Sequence, residues 1–233
     1  MSSMVKALEK VLTGIEGLDE MLNGGLPRKH NVLVMGGPGS GKTMFGMQYL
    51  YNGFIKHGQK GAYLSLEETP ERLIQDTGQA FGWNLKELVE NQDLFILKME
   101  KFNFQNLMDM MQSTILQQNV KRIVIDPLSL MHMCFKNETE FRVGLFNMLE
   151  FLGQQDVTTL LIAERSFSER GGIEFGLEEF ITDGVIVLYN FTRKNERIRA
   201  LEILKMRGTD HSKNIYPFHI TPEGIVLLQE ELL

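Results

Sequence analysis

The chain has almost no cysteine: Cys134 is the only one in 233 residues. A single thiol excludes an intramolecular disulfide and a zinc cluster built on cysteine, fits a reducing compartment, and leaves Cys134 to act as a small buried hydrophobe. Basic residues are outnumbered, 24 Lys and Arg against 30 Asp and Glu, for a formal charge of −6. That balance argues against a surface dominated by nucleic-acid contact, although a local basic patch is compatible with it. No apolar run approaches a membrane span, and Met1 to Lys10 lacks the apolar stretch of a secretory signal, so the expectation is a cytoplasmic protein with no membrane partner. Internal repeats, low-complexity tracts and linkers are also missing. With 43% hydrophobic and 23% charged residues, the length suits one large α/β domain and is short for two.

What is present centres on Gly36-Gly37-Pro38-Gly39-Ser40-Gly41-Lys42-Thr43, which follows the apolar run Val32 to Met35 and precedes a helical segment, Met44 to Ile55. The spacing fits the phosphate-binding pattern G-x-x-x-x-G-K-[ST] between a strand and a helix. Glycines let the backbone wrap phosphate oxygens, so that N–H groups from Gly37 through Met44, at the helix start, point at negative charge. In this reading Lys42 lies against the β- and γ-phosphates of a nucleotide and the Thr43 hydroxyl ligates Mg2+.

Before this loop, Ile15, Leu18 and Leu22 recur at helical spacing within a turn, short helix and turn, and would dock residues 1–30 on the domain. After it come a strand Gly61 to Leu66, a helix from Pro70 to about Phe81, a strand Asp93 to Leu97 and a methionine-rich helix Phe104 to Gln118. Then follow the strand Ile123 to Asp126, a helix Glu138 to Gln154 and a strand Thr158 to Ala163 ending at Glu164-Arg165. Fully apolar strands between helices predict a mostly parallel sheet covered on both faces, the nucleotide-binding core of residues 31–183. Ser166 to Gly176, containing Gly171-Gly172, reads as a mobile loop. Residues 184–233 then read as an antiparallel β extension, with hairpin turns at Lys194-Asn195 and Pro222-Glu223-Gly224.

Several side chains could carry chemistry. Asp126 closes an apolar strand at the end where open parallel sheets bind ligands, which makes it the second candidate Mg2+ ligand. Glu67 and Glu68 end the strand expected beside the phosphate-loop strand. Either could orient and polarise an attacking water, with Glu68 favoured, or both could simply begin the next helix at its positive end. Lys205 and Arg207 stand two apart, so a strand turns both to one face. They are either edge-strand charges or an arginine-finger pair reaching a neighbouring subunit's nucleotide.

Thr13 to Asp19, Gly24 to Pro27, the phosphate loop, Leu66 to Pro70, Ile125-Asp126, Gly176 to Asp183 and Leu204 to His211 together resemble the KaiC-type ATPases of the RecA/RadA superfamily, in order, from about Leu12 to Leu228. The resemblance implies a RecA-like core and ATP between subunits of a hexameric ring. It implies paired catalytic glutamates at Glu67 and Glu68, and trans phosphate contacts from Lys205 and Arg207. It also implies that Ser166 to Gly176 lies near the central channel, where recombinase relatives hold DNA. Clock KaiC carries two such domains and this chain has one, so a circadian role does not follow. The reading is therefore a Mg2+-dependent ATPase whose nucleotide state changes its contacts with another macromolecule, with a protein partner possible and DNA not supported by the net charge. The alternatives are a recombinase-like DNA-binding protein, from Arg165, Arg170 and the glycine loop, and an autokinase acting on a residue such as Thr209 or Ser166.

Overall fold

A computed structural model describes residues 8–99, 103–165 and 176–228. Its central element, β3 (Asn31–Gly36 in a chain that begins with the short pair β1, Lys10–Val11, and β2, Leu26–Pro27), lies inside a nine-stranded sheet. The helix α1 (Leu18–Met21) separates β1 from β2. After β3 come α2 (Lys42–His57), β4 (Gly61–Ser65), α3 (Pro70–Phe81), α4 (Leu85–Glu90), β5 (Leu94–Lys98), α5 (Phe104–Gln118) and β6 (Arg122–Asp126). A 3₁₀ helix (Leu128–Cys134) leads to α6 (Glu138–Gln154), β7 (Thr158–Glu164) and α7 (Leu177–Ile181). The chain finishes as β8 (Gly184–Arg193), β9 (Glu196–Met206), β10 (Ile215–Thr221) and β11 (Gly224–Leu227).

The order across the sheet is β11-β10-β9-β8-β3-β7-β6-β4-β5, parallel from β8 to β5 and antiparallel from β8 to β11. Side chains alternate between its faces. Val32 and Val34 of β3 join α2 residues Phe45, Met47 and Tyr49 and the amino-terminal Ile15, Leu18 and Leu22. Leu33 and Met35 pack on the other face with Leu107 and Met111 of α5 and Phe141 and Leu145 of α6. The period of two thus explains why near-continuous apolar strands are needed here: both faces are dry. Among the described residues, no helix is long and apolar enough to cross a membrane.

Ile15, Leu18 and Leu22 dock their segment on the core. Asp19 closes it on itself, accepting from the Thr13 backbone at 2.7 Å, the Thr13 hydroxyl at 2.8 Å and the Gly14 N–H at 3.0 Å. Arg122, fully buried, ties this segment to the sheet by donating to Leu12 O at 2.7 Å, Tyr49 O at 3.0 Å and Gln59 Oε1 at 2.8 Å. Helix ends carry their own signals: Asn103 caps α5, Asn137 caps α6, and Thr69 with Pro70 opens α3.

Four expectations need correction. The strand before Glu67 and Glu68 does not adjoin β3, whose neighbours are β7 and β8; β6 and β7 intervene. That strand also stops at Ser65, so both glutamates occupy the bend before α3 and strand alternation does not apply to them. Cys134 is half-buried rather than fully enclosed. The strand carrying Lys205 is not an edge along its whole length: β9 runs between β8 and β10, but β10 pairs only with Ala200 to Glu202, so the Lys205 end is bonded to β8 alone and keeps one open side. The helices α4 and α7 and the 3₁₀ turn are additions that short, unpatterned segments did not signal. Ser166, Arg170 and the Gly171-Gly172 loop lie outside the described residues.

Candidate nucleotide site

Along the sheet the strand order reverses between β3 and β7, since β3 is followed in sequence by β4 on one side and β7 by β8 on the other, and this switch point places a crevice at their carboxyl ends, the usual ligand position in such sheets. The phosphate loop fills that position. A side chain at Gly36 would stand 2.3 Å from Leu188 O of β8, so only glycine allows the strands to meet there. Gly41, with φ 96°, starts α2 from a left-handed conformation that glycine adopts without strain. The first-turn N–H groups of α2 have no preceding turn to bond, and they face the loop. Ser40 Oγ is buried without a partner among the described residues, a donor set where a phosphate oxygen would accept.

Lys42 is nearly buried at 9% exposure, and its ammonium donates to Gly37 O at 3.0 Å. Burial lowers its pKa, while Glu164 and Asp126 pull it back up. Thr43 donates its hydroxyl to Asp126 Oδ2 at 3.0 Å, so the two expected metal-binding oxygens are already adjacent. The Tyr63 hydroxyl of β4 donates to the same oxygen. Burial pushes the Asp126 carboxyl above its usual range, and the Tyr63 and Thr43 hydrogen bonds and the Lys42 charge oppose that push. Two hard oxygen donors beside a phosphate cradle fit Mg2+, which completes its shell with phosphate and water. Glu68 is half-buried, Glu67 exposed. Ser65 Oγ donates to Glu68 O at 2.7 Å, and burial raises the Glu68 carboxyl, with Arg72 opposing and Asp126 adding to the shift.

The cations of the carboxyl-terminal strand stand elsewhere. Met206 pairs with Gly184, and Gly184 with Val32, at the amino end of β3 rather than at its phosphate-loop end. There Lys205 Nζ donates to Glu179 O at 3.1 Å and Phe180 O at 3.3 Å, and Arg207 donates to Phe180 O at 3.1 Å, so both cap α7. Phe180 itself is 67% exposed.

Other residues of the site were not foreseen. Tyr63 could have been noticed as a phenol in a mostly apolar strand. Glu164 closes β7 just as Asp126 closes β6 and acts on Lys42. Arg165 forms ion pairs with the buried Glu178 at 2.7 Å and Glu179 at 2.8 Å, and His132 Nε2 donates to the Glu178 carboxylate at 3.0 Å. Burial alone would raise Glu178, yet its backbone hydrogen bond, His132 and Arg165 hold it below the usual range.

A family model described as the KaiC ATPase matches residues 11–232. The chain belongs to the KaiC ATPase family. It is 38% identical to the circadian clock oscillator protein KaiC of Parathermosynechococcus lividus, over 96% of this chain and 43% of that protein. Against KaiC of Synechococcus elongatus the identity is 37%, over 94% of this chain and 44% of the relative. The chain thus spans less than half the length of these curated relatives. A crystal structure of a KaiC-like protein from Pyrococcus horikoshii OT3 aligns with a TM-score of 0.85 and 34% identity, covering 95% of this chain and 99% of that one. As a KaiC-family domain it is an ATP-binding P-loop ATPase with the RecA-like fold.

Proposed function

We propose that this KaiC-family domain hydrolyses ATP with Mg2+ as a cytoplasmic ring oligomer, with a hexamer as the expected closure and each nucleotide held between two subunits. The carrying observation is that Lys205 and Arg207 cap α7 at the end of β3 remote from this chain's own phosphate loop. Cations there stand away from this chain's own loop, which supports a role at a nucleotide held by another copy. Such a head-to-tail contact closes into a ring when its rotation permits.

Within one subunit, the backbone of Gly37 to Met44 binds the phosphates and Lys42 neutralises them. Thr43 and Asp126 would hold Mg2+, which when bound neutralises charge on the β- and γ-phosphate oxygens. Glu68, whose carboxyl pKa is raised by burial above that of an ordinary glutamate, orients the attacking water and takes its proton, with Glu67 alongside. Lys205 and Arg207 of the adjacent copy meet the charge that develops on the transferred phosphoryl group. Nucleotide state would then alter the ring's contacts with a protein partner.

Light scattering with and without Mg-ATP, alongside phosphate release, tests this for wild type and Arg207→Ala. A wild-type ring that hydrolyses ATP, with a variant that assembles but loses turnover, is the expected result. A monomer whose turnover ignores the substitution would overturn the intersubunit mechanism.

A further inference from the structure

Asn190 and Arg199 face each other across β8 and β9, at the opposite end of β9 from Lys205. Both reach the outer side of the phosphate loop. Asn190 Nδ2 donates to Pro38 O at 3.1 Å and Arg199 Nε donates to Gly39 O at 3.0 Å, so two successive loop carbonyls are held from outside. A peptide unit is planar and trans, with its C=O and N–H pointing in opposite directions. Fixing the Pro38 carbonyl outward therefore turns the Gly39 N–H inward, and fixing the Gly39 carbonyl turns the Ser40 N–H inward. The Ser40 N–H is otherwise committed only to a long 3.3 Å contact with Gly37 O. The approach is close: a methyl group on Gly39 would stand 3.2 Å from Asn190 Nδ2.

We propose that Asn190 and Arg199 are positioning residues for the phosphate nest, acting within the subunit. They hold the loop in the form that presents the Gly39 and Ser40 N–H groups to the polyphosphate before it arrives, and Arg199 adds a positive charge behind the loop. A preset nest costs no reorganisation on binding, and the charge favours a polyanion. This deepens the nucleotide reading of the same loop and does not depend on the ring.

The test uses the full chain with Arg199→Ala, Arg199→Lys and Asn190→Asp, the last exchanging a donor for a carboxylate that repels the Pro38 carbonyl. Calorimetry measures binding of MgADP, and of Mg-pyrophosphate as a phosphate-only probe, and thermal melts follow each protein with and without MgADP. The expected result is on the order of a tenfold loss of affinity for both probes in Arg199→Ala and Asn190→Asp, with Arg199→Lys between them and wild type. The melting temperature of the free proteins changes little, while the stabilisation by MgADP shrinks. Unchanged affinities, or a lower melting temperature in the free variants with full stabilisation by MgADP, would reduce the pair to a structural brace and overturn the proposal. A wild type that binds neither probe would overturn it together with the nucleotide reading, whereas a nucleotide-binding monomer would remove only the ring.

Discussion

Complementation between two variants, each expected to be inactive alone, tests the proposed intersubunit mechanism directly. One parent carries Glu67→Gln and Glu68→Gln, which removes the carboxylates proposed to orient water and keeps the cations; the other carries Arg207→Ala, which keeps its carboxylates. Arg207 follows Met206, whose partner Gly184 lies opposite Val32, four residues before Gly36. At about 3.3 Å per residue the loop-bearing end of β3 is roughly 13 Å further along the strand, beyond the span of an arginine side chain that is already bonded to Phe180 O. No cis route is open, so each parent alone should fall by on the order of a thousandfold, about 4 kcal/mol at the transition state. In a randomly mixed ring at equal amounts, a live site needs intact glutamates on one subunit and an intact Arg207 on the next, which holds for roughly a quarter of the interfaces. Phosphate release should therefore recover to about a quarter of wild type after the parents are mixed and reassembled, and stay near zero when they are assayed apart. A mixture no faster than the average of its parents would refute the reasoning.

Tyr63→Phe removes a hydrogen bond that stabilises the ionised Asp126 carboxyl against burial. The carboxyl then keeps its proton to higher pH, so the acid limb of the activity profile should move up by roughly half a unit to one unit in a pH-rate measurement. Glu178→Gln leaves the Arg165 guanidinium, 17% exposed, with one carboxylate instead of two. Urea unfolding should show a loss of about 2–4 kcal/mol, the cost of partly unpairing a buried charge. Asp156 is held at about 2 by hydrogen bonds from Arg28 and Lys121, below its ordinary value of 3.8. A depressed carboxylate contributes stability that is complete above the unfolded value and fades as pH falls from about 4 to 2. Asp156→Asn should cost about 1 kcal/mol at neutral pH, after allowance for solvent screening, and flatten the acid unfolding curve over that interval.

The local signals of the longer elements were legible in the chain. The spans of α3, α5 and α6 follow from Pro70 at the start of α3 and from the apolar spacing within α5 and α6, because start signals and periodicity act over a few residues. The phosphate loop and the Asp126 strand end were legible for the same reason, and Thr43 and Asp126 do meet, at 3.0 Å. Lys205 and Arg207 do turn to one side, since both reach Phe180 O.

Strand neighbours were another matter. Fully apolar parallel strands look alike whichever strand they pair with, so the sequence carried no sign that β7 and β8, rather than β4, flank β3. The same long-range pairing brings Asn190 and Arg199 to Pro38 and Gly39, more than 150 residues earlier, and Tyr63 to Asp126. By itself, then, the sequence determined the phosphate chemistry, the helices and the two-faced sheet, all written in short-range pattern. Only the tertiary structure decided which end of β9 attends this chain's own loop and which end faces away, because that depends on the antiparallel register of β9 on β8, and register is set by packing between residues far apart in the chain.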